Sequence, residues 1–192
     1  MSSAERPSIP TILLLALFCY IVALVPRLYD VESRIMQADE EHWIERSADV
    51  IRNIEAHKWS VVTSHLSQPG LPPALAMALG QAVADVYNSK RDREWGDPGY
   101  IDRLRASRSA NAILSSAVAP VVYVGALSVI GQGPALLAAL LLALDPHHIS
   151  ISRLAHVDGG LTLLATLALF LYLAAERRRS FRIKMLAAVV WG

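Results

Sequence analysis

Cysteine is nearly missing from this chain. Cys19 is the single one, and it sits inside the first apolar run, so no intrachain disulfide is available and the redox compartment stays open. Charge is scarce too: 18% of residues are Asp, Glu, Lys or Arg, against 54% hydrophobic. With a positive mean hydropathy, that balance is too apolar for an ordinary soluble domain of 192 residues and points to a membrane protein. The net charge of +1 gives no electrostatic reason to expect nucleic acid or an acidic ligand. Internal repeats and low-complexity tracts are absent. "VALVPRLYD" offers no small-x-small cleavage site, so the first apolar run is an uncleaved anchor rather than a signal peptide.

What remains is a set of long apolar runs. A helix needs about 20 apolar residues to cross the hydrocarbon core. Ile9 to Val25 nearly meets that, with Pro26-Arg27 expected to end it. The expected spans are 9–26, 109–130, 134–151 (interrupted at Asp145-Pro146) and 159–176, with a partial one at 185–192 that looks cut off in mid-span. The expected fold class is all-α: a polytopic transmembrane helical bundle with a long outer loop, 27–108, of interfacial amphipathic helices.

Orientation follows from the basic residues of short loops, which favour the cytoplasm. "ERRRSFRIK", Glu176 to Lys184, is the densest such cluster and belongs inside. Counting spans backwards places "DPHHISISRLAHVD" outside, "GQGP" inside, 27–108 outside and the N-terminus inside. The expected location is a multi-pass plasma-membrane protein with a cytoplasmic N-terminus.

Within the outer segment, Trp43, Ile44, Val50, Ile51 and Ile54 recur at helical spacing, which suits an interfacial helix anchored by Trp43 and Trp59. A second helix opens at Pro72-Pro73. Asp39 falls at the expected N-cap of the first, with Glu40 and Glu41 in its first turn. Capping and the helix dipole explain three acids there; so does a general base held at the lipid–water boundary. Arg153, His156 and Asp158 share the second outer loop. There an arginine fork suits phosphate oxygens, while an interfacial anchor and an N-cap are the plainer roles. His147, His148, His156 and Asp158 have irregular spacing for a metal site, so no metal ligand is assigned, though a divalent cation is left open. The lone "GQG" follows no strand and carries no nucleotide signal.

Taken together, "ADEEHWIERSADVI", "THLSQPGLPPALAMALG" and "DPHHISISRLAHVDGGLTLLATLALFLYL" resemble the N-terminal portion of a GT-C-type glycosyltransferase. The nearest groups are protein O-mannosyltransferases and the bacterial aminoarabinose or hexose transferases that use a polyprenyl-phosphate or dolichyl-phosphate sugar. The resemblance implies a catalytic acid at Asp39 with Glu40 beside it, and donor-phosphate contacts from Arg153, His156 and Asp158. Between the two outer helices, His65 and Gln68 offer either a plain turn or a turn contact; relatives read His-Pro-Gly or Lys-Pro-Pro there, and this chain departs from them with Gln68-Pro69-Gly70. The resemblance implies no certain cofactor, an embedded lipid-phosphate sugar as donor, and a lipid, glycan or protein hydroxyl as acceptor, with membrane lipids as surroundings and no nucleic acid. A transporter component and a non-catalytic scaffold are the competing classes. Transporters place ionisable residues within spans, whereas here the polar residues cluster at span ends.

Overall fold

The structure is a computed structural model that describes residues 7–31, 35–60, 71–89 and 99–191. Its described secondary structure is entirely helical: α1 (Ile9–Leu28), α2 (Ala38–Glu55), α3 (Leu71–Ser89), α4 (Gly99–Ser116), α5 (Val118–Ile130), α6 (Gln132–Ala143), α7 (Pro146–Ser152), α8 (Asp158–Arg178) and α9 (Phe181–Trp191). Among the described residues, three stretches are long and apolar enough to cross a membrane: Ile9–Leu28, Ile101–Ile130 and Asp158–Arg178. Helices α6 and α7 together make a fourth if taken as one span bent by 55°. The polytopic helical bundle expected from hydropathy is what forms.

Two boundaries differ from expectation. Pro26 does not end α1, which runs on to Leu28; a proline this close to a helix end forfeits one bond to the carbonyl four residues back. The second span begins earlier than residue 109, because α4 already winds through Arg103, Arg105 and Arg108. The interruption at Asp145-Pro146 falls where expected. Asp145 accepts the His148 N–H through Oδ1 at 2.6 Å and so starts the short α7.

The chain divides into two compact units. The first holds residues 1–26, 116–148 and 162–192. Its core consists mostly of small side chains: Cys19 and Ala23 of α1, Ala119 and Ala126 of α5, and Ala135, Ala139 and Ala143 of α6, around Tyr123. Alanines four apart form one stripe on α6, which lets α5 and α6 approach closely, while Leu137 and Leu141 point outwards. At Gly125 a Cβ would enter the ring of Phe170 on α8, so only glycine admits that contact.

The second unit holds residues 27–115 and 149–161. Here α2 packs on α3, burying Trp43 and Ile44 with Met77, Ala155 and Val157, and Val50 with Ala78. That corrects the expected headgroup anchoring by Trp43: its ring is 4% exposed and packed in protein. Amphipathicity correctly marked the buried face but not what buries it. Trp59, in contrast, remains exposed.

Candidate functional site

The site is built from the first turn of α2 and the segment between α7 and α8, both in the second unit. The register of α2 is set by Glu40. Its Oε2 accepts the Gln37 N–H at 3.0 Å, while the Glu40 N–H donates to the Gln37 carbonyl at 3.0 Å. Gln37 is therefore the N-cap. Asp39, expected at that position, is instead the second residue of the helix, with an exposed side chain.

Glu40 turns inwards. Arg108 of α4 donates to it twice, Nε to Oε1 at 2.8 Å and Nη2 to Oε2 at 2.7 Å, and the Ala155 N–H donates to Oε1 at 2.7 Å. Both charged side chains are 1% exposed. Arg108 Nη1 also donates to the Val31 carbonyl at 3.0 Å. One buried ion pair thus ties together four stretches: the end of α1, the start of α2, the middle of α4 and the loop before α8. Burial alone would push the Glu40 carboxyl up. The Arg108 guanidinium and the N–H groups of Gln37 and Ala155 outweigh that and hold it below the usual carboxylate value. Breaking such a pair from one side typically costs about 3–5 kcal/mol, because the remaining charge is stranded.

Other buried polar groups brace this loop and α2. Asn111 Nδ2 donates to the Leu154 carbonyl at 2.8 Å, and Gln81 Nε2 donates to the Ile44 carbonyl at 3.1 Å and Ser107 Oγ at 2.9 Å. The glycine pair after Asp158 is explained by close approach. A Cβ on Gly160 would lie 2.5 Å from Pro73 Cγ, and one on Gly159 would collide with the Ser115 hydroxyl. Only glycines let the first turn of α8 sit against α3 and α4, which fixes where Asp158 emerges.

On this base lies a cavity of about 360 Å³ lined by Asp39, His42, Trp43, His156, Val157, Asp158 and Leu161. The His156 and Trp43 rings meet edge to face with centroids 5.6 Å apart, and Arg46 lies over the Trp43 ring at 4.9 Å. His156 Nδ1 is 3.2 Å from Asp158 Oδ2 and also accepts the Asp158 N–H at 3.4 Å. A carboxylate, an imidazole paired with a second carboxylate, and an indole wall give a polar mouth over an apolar floor. This set can accept and donate hydrogen bonds and take up a proton.

The structure therefore brings Asp39, His156 and Asp158 to one cavity, although more than a hundred residues separate them in sequence. Glu40 lies beneath it. Arg153 does not line it; its Nη2 donates to the carbonyls of Tyr29 and Asp30 at 2.5 and 2.8 Å. His65 and Gln68 lie outside the described residues. Among the described residues no three of His, Cys, Asp or Glu gather as a metal-binding group. Sequence reasoning missed Arg108, His42 and Trp43. Arg108 carried a usable signal, an arginine only three residues before the buried Asn111 of an apolar helix, where a charge calls for a buried partner.

Residues 90–191 match the family described as dolichyl-phosphate-mannose-protein mannosyltransferase. That stretch takes in Arg108, Arg153, His156 and Asp158, while Asp39 and Glu40 lie before it. No curated protein and no solved structure matches the chain. The family match spans more than half of the sequence, on a bundle with three or four candidate membrane spans; the chain belongs to the dolichyl-phosphate-mannose-protein mannosyltransferase family, membrane glycosyltransferases whose sugar donor is a lipid phosphate.

Proposed function

We propose that the chain transfers a hexose from a polyprenyl-phosphate donor to an acceptor hydroxyl, with Asp39 as the general base. The observation that carries this reading is the cavity shared by Asp39, His156 and Asp158. In the proposed step the acceptor hydroxyl gives its proton to the Asp39 carboxylate as its oxygen bonds to the anomeric carbon. The bond from that carbon to the phosphate oxygen breaks, and the lipid phosphate leaves with the electron pair. Attack opposite the leaving group inverts the sugar carbon. A lipid phosphate is already a good leaving group, so the protein's contributions are a base, a positive field for the departing phosphate and a pocket for an oxocarbenium-like sugar.

Glu40 is given a positioning role, because its two oxygens already accept four bonds. His156, with Nδ1 3.2 Å from Asp158 Oδ2, supplies a polar ring N–H at the cavity. Arg153 approaches the donor phosphate from the adjoining loop, where a guanidinium has five N–H donors to share between backbone carbonyls and an anion. The mannose and protein acceptor in the family's name favour a hexosyl donor and a Ser or Thr hydroxyl. The basic residues Arg177 and Arg178 at the end of α8 support the reading that transfer takes place on the non-cytoplasmic face of the plasma membrane, with the N-terminus inside.

The test is transfer from labelled polyprenyl-phosphate mannose to a Ser/Thr peptide, in membranes carrying the protein expressed from its native gene. Lipid and glycan acceptors, and a chelator arm, run in parallel. Asp39→Asn is expected to lower turnover about 10²–10⁴-fold at unchanged protein level, and unchanged turnover removes Asp39 from the mechanism. Arg153→Ala is expected to weaken use of the donor more than use of the acceptor.

A further inference from the structure

Two sequence features stay outside the transfer reaction: the glycine turn "GQG" and the arginine run at the end of α8. In the first unit they meet. A cavity of about 800 Å³ is bounded by Gly131, Gln132 and Gly133 on one side and by Arg177 and Arg178 on the other. Among the described residues lining it there is no carboxylate. Arg177 is held in place by donating Nη1 to the Ser128 carbonyl, and Arg178 is exposed at the rim. The two cations therefore face a hollow whose described wall carries no carboxylate.

The backbone opposite adds to the same field. Gly131 sits at φ 83°, a left-handed conformation, and ends α5 as α6 begins. A Cβ on Gly131 or Gly133 would meet nothing within 4 Å, so this backbone is open to approach. The Gln132 and Gly133 amides belong to the first turn of α6, where helical geometry supplies no acceptor.

The floor of the cavity is apolar, with Ile12, Val124 and Leu127. From it a second hollow of about 500 Å³ continues, sharing Val124, Ser128 and Arg178. It follows α5 down to Pro120 and is walled on the other side by Leu171 and Ala174 of α8. Eight residues of α5 separate Pro120 from Ser128, about 12 Å of helix. A cationic head site opening into an apolar groove of that length fits an amphiphile and has more apolar wall than a free anion would use.

We infer that Arg177, Arg178 and the Gly131–Gly133 turn form a binding site for an anionic phospholipid, with its phosphate between the guanidinium groups and the turn and one acyl chain along the α5–α8 groove. This site is separate from the sugar-transfer cavity and does not depend on the transfer reading. The lipid would seat the ends of α5, α6 and α8, whose own core is made of small side chains.

The experiment is lipid retention by the purified protein, measured by native mass spectrometry with phosphatidylglycerol, phosphatidylcholine or inorganic phosphate supplied. Phosphatidylglycerol is expected to stay bound through detergent exchange and phosphatidylcholine to be lost. Millimolar phosphate is expected not to displace the lipid. Arg177→Gln with Arg178→Gln is expected to lower retention about 30-fold, the effect of two basic groups at an anionic lipid surface. Gly133→Glu tests the turn without touching either arginine. Glutamate is favoured in a first helical turn, so the helix should keep its fold, while its carboxylate repels the headgroup. Equal retention of both lipids, full displacement by phosphate, or unchanged retention in Gly133→Glu would overturn the site.

Discussion

The two units of this chain bury opposite things. The first buries alanines and exposes leucines: Ala135, Ala139 and Ala143 are fully covered, while Leu137 and Leu141 are more than half exposed. The second buries a charged pair, an asparagine, a glutamine and several serines. In water the first pattern would be inside out. In lipid it is the expected one, since hydrocarbon is as good a solvent for leucine as another helix and close packing is what holds helices together. The second unit has to hold two chain segments, more than a hundred residues apart in sequence, around one cavity, and it does so with directional bonds. Small-residue packing sets distance; the Glu40–Arg108 network sets orientation. The unit that carries the candidate chemistry is the one that adds buried charged and polar side chains to its apolar core.

This contrast breaks most visibly at the ion pair. Arg108→Met is expected to destabilise the protein by about 3–5 kcal/mol in a chemical unfolding series, because it leaves Glu40 charged and buried. Arg108→Met combined with Glu40→Leu is expected to recover most of that loss, since a shape-matched apolar pair is often neutral or better. If the single and double variants fell equally, the pair would be doing no more than filling space. The double variant should still lose sugar transfer, because Ala155 and Gln37 would no longer be held and the wall presenting Asp39 and His156 would loosen.

The same pair has a pH signature. Glu40 has its folded value held below its unfolded one, about 4.3 for a free glutamate side chain. Its stabilising contribution is therefore complete above the unfolded value and disappears as pH falls through the lower, folded one. Acid unfolding monitored by tryptophan fluorescence should steepen below about pH 4 in the natural protein. Glu40→Gln should be less stable at neutral pH and show a flatter acid limb. Parallel limbs would mean that Glu40 is not the group being titrated.

Much of this was legible in the sequence, and the failures are instructive. Hydropathy gave the spans because membrane thickness imposes their length, and Asp145-Pro146 announced its own break. Span counting led only to the expectation that the Asp39 and Arg153–Asp158 stretches face one side; that His156 and Asp158 share a cavity with Asp39 while Arg153 does not line it depends on tertiary contacts. Arg108 stands nearer the apolar run than Arg103 or Arg105, but its partner was hidden by range: Glu40 is 68 residues away. The N-cap was misplaced by two residues because Gln37 is a poor capper by propensity. Glu40's buried bonds, a tertiary constraint, chose the register. Trp43 showed amphipathicity without its partner, since an apolar stripe looks the same whether lipid or Met77 covers it.

The gentlest test compares two residues of α6 that are only two apart. Ala139 is 0% exposed and sits in the small-residue stripe facing α5; Leu141 is 66% exposed. Ala139→Leu should push the helices apart and cost about 1–3 kcal/mol, the range for overpacking a tight core. Leu141→Ala, which removes the same atoms that the first change adds, should stay within about 0.5 kcal/mol, as surface substitutions do. A soluble protein would order these two oppositely, since there the larger residue belongs inside. Unfolding of both variants in one detergent measures that ordering directly. A larger loss for Leu141→Ala would mean that α6 turns its leucines towards protein, and the inside-out assignment of the first unit would have to be reversed.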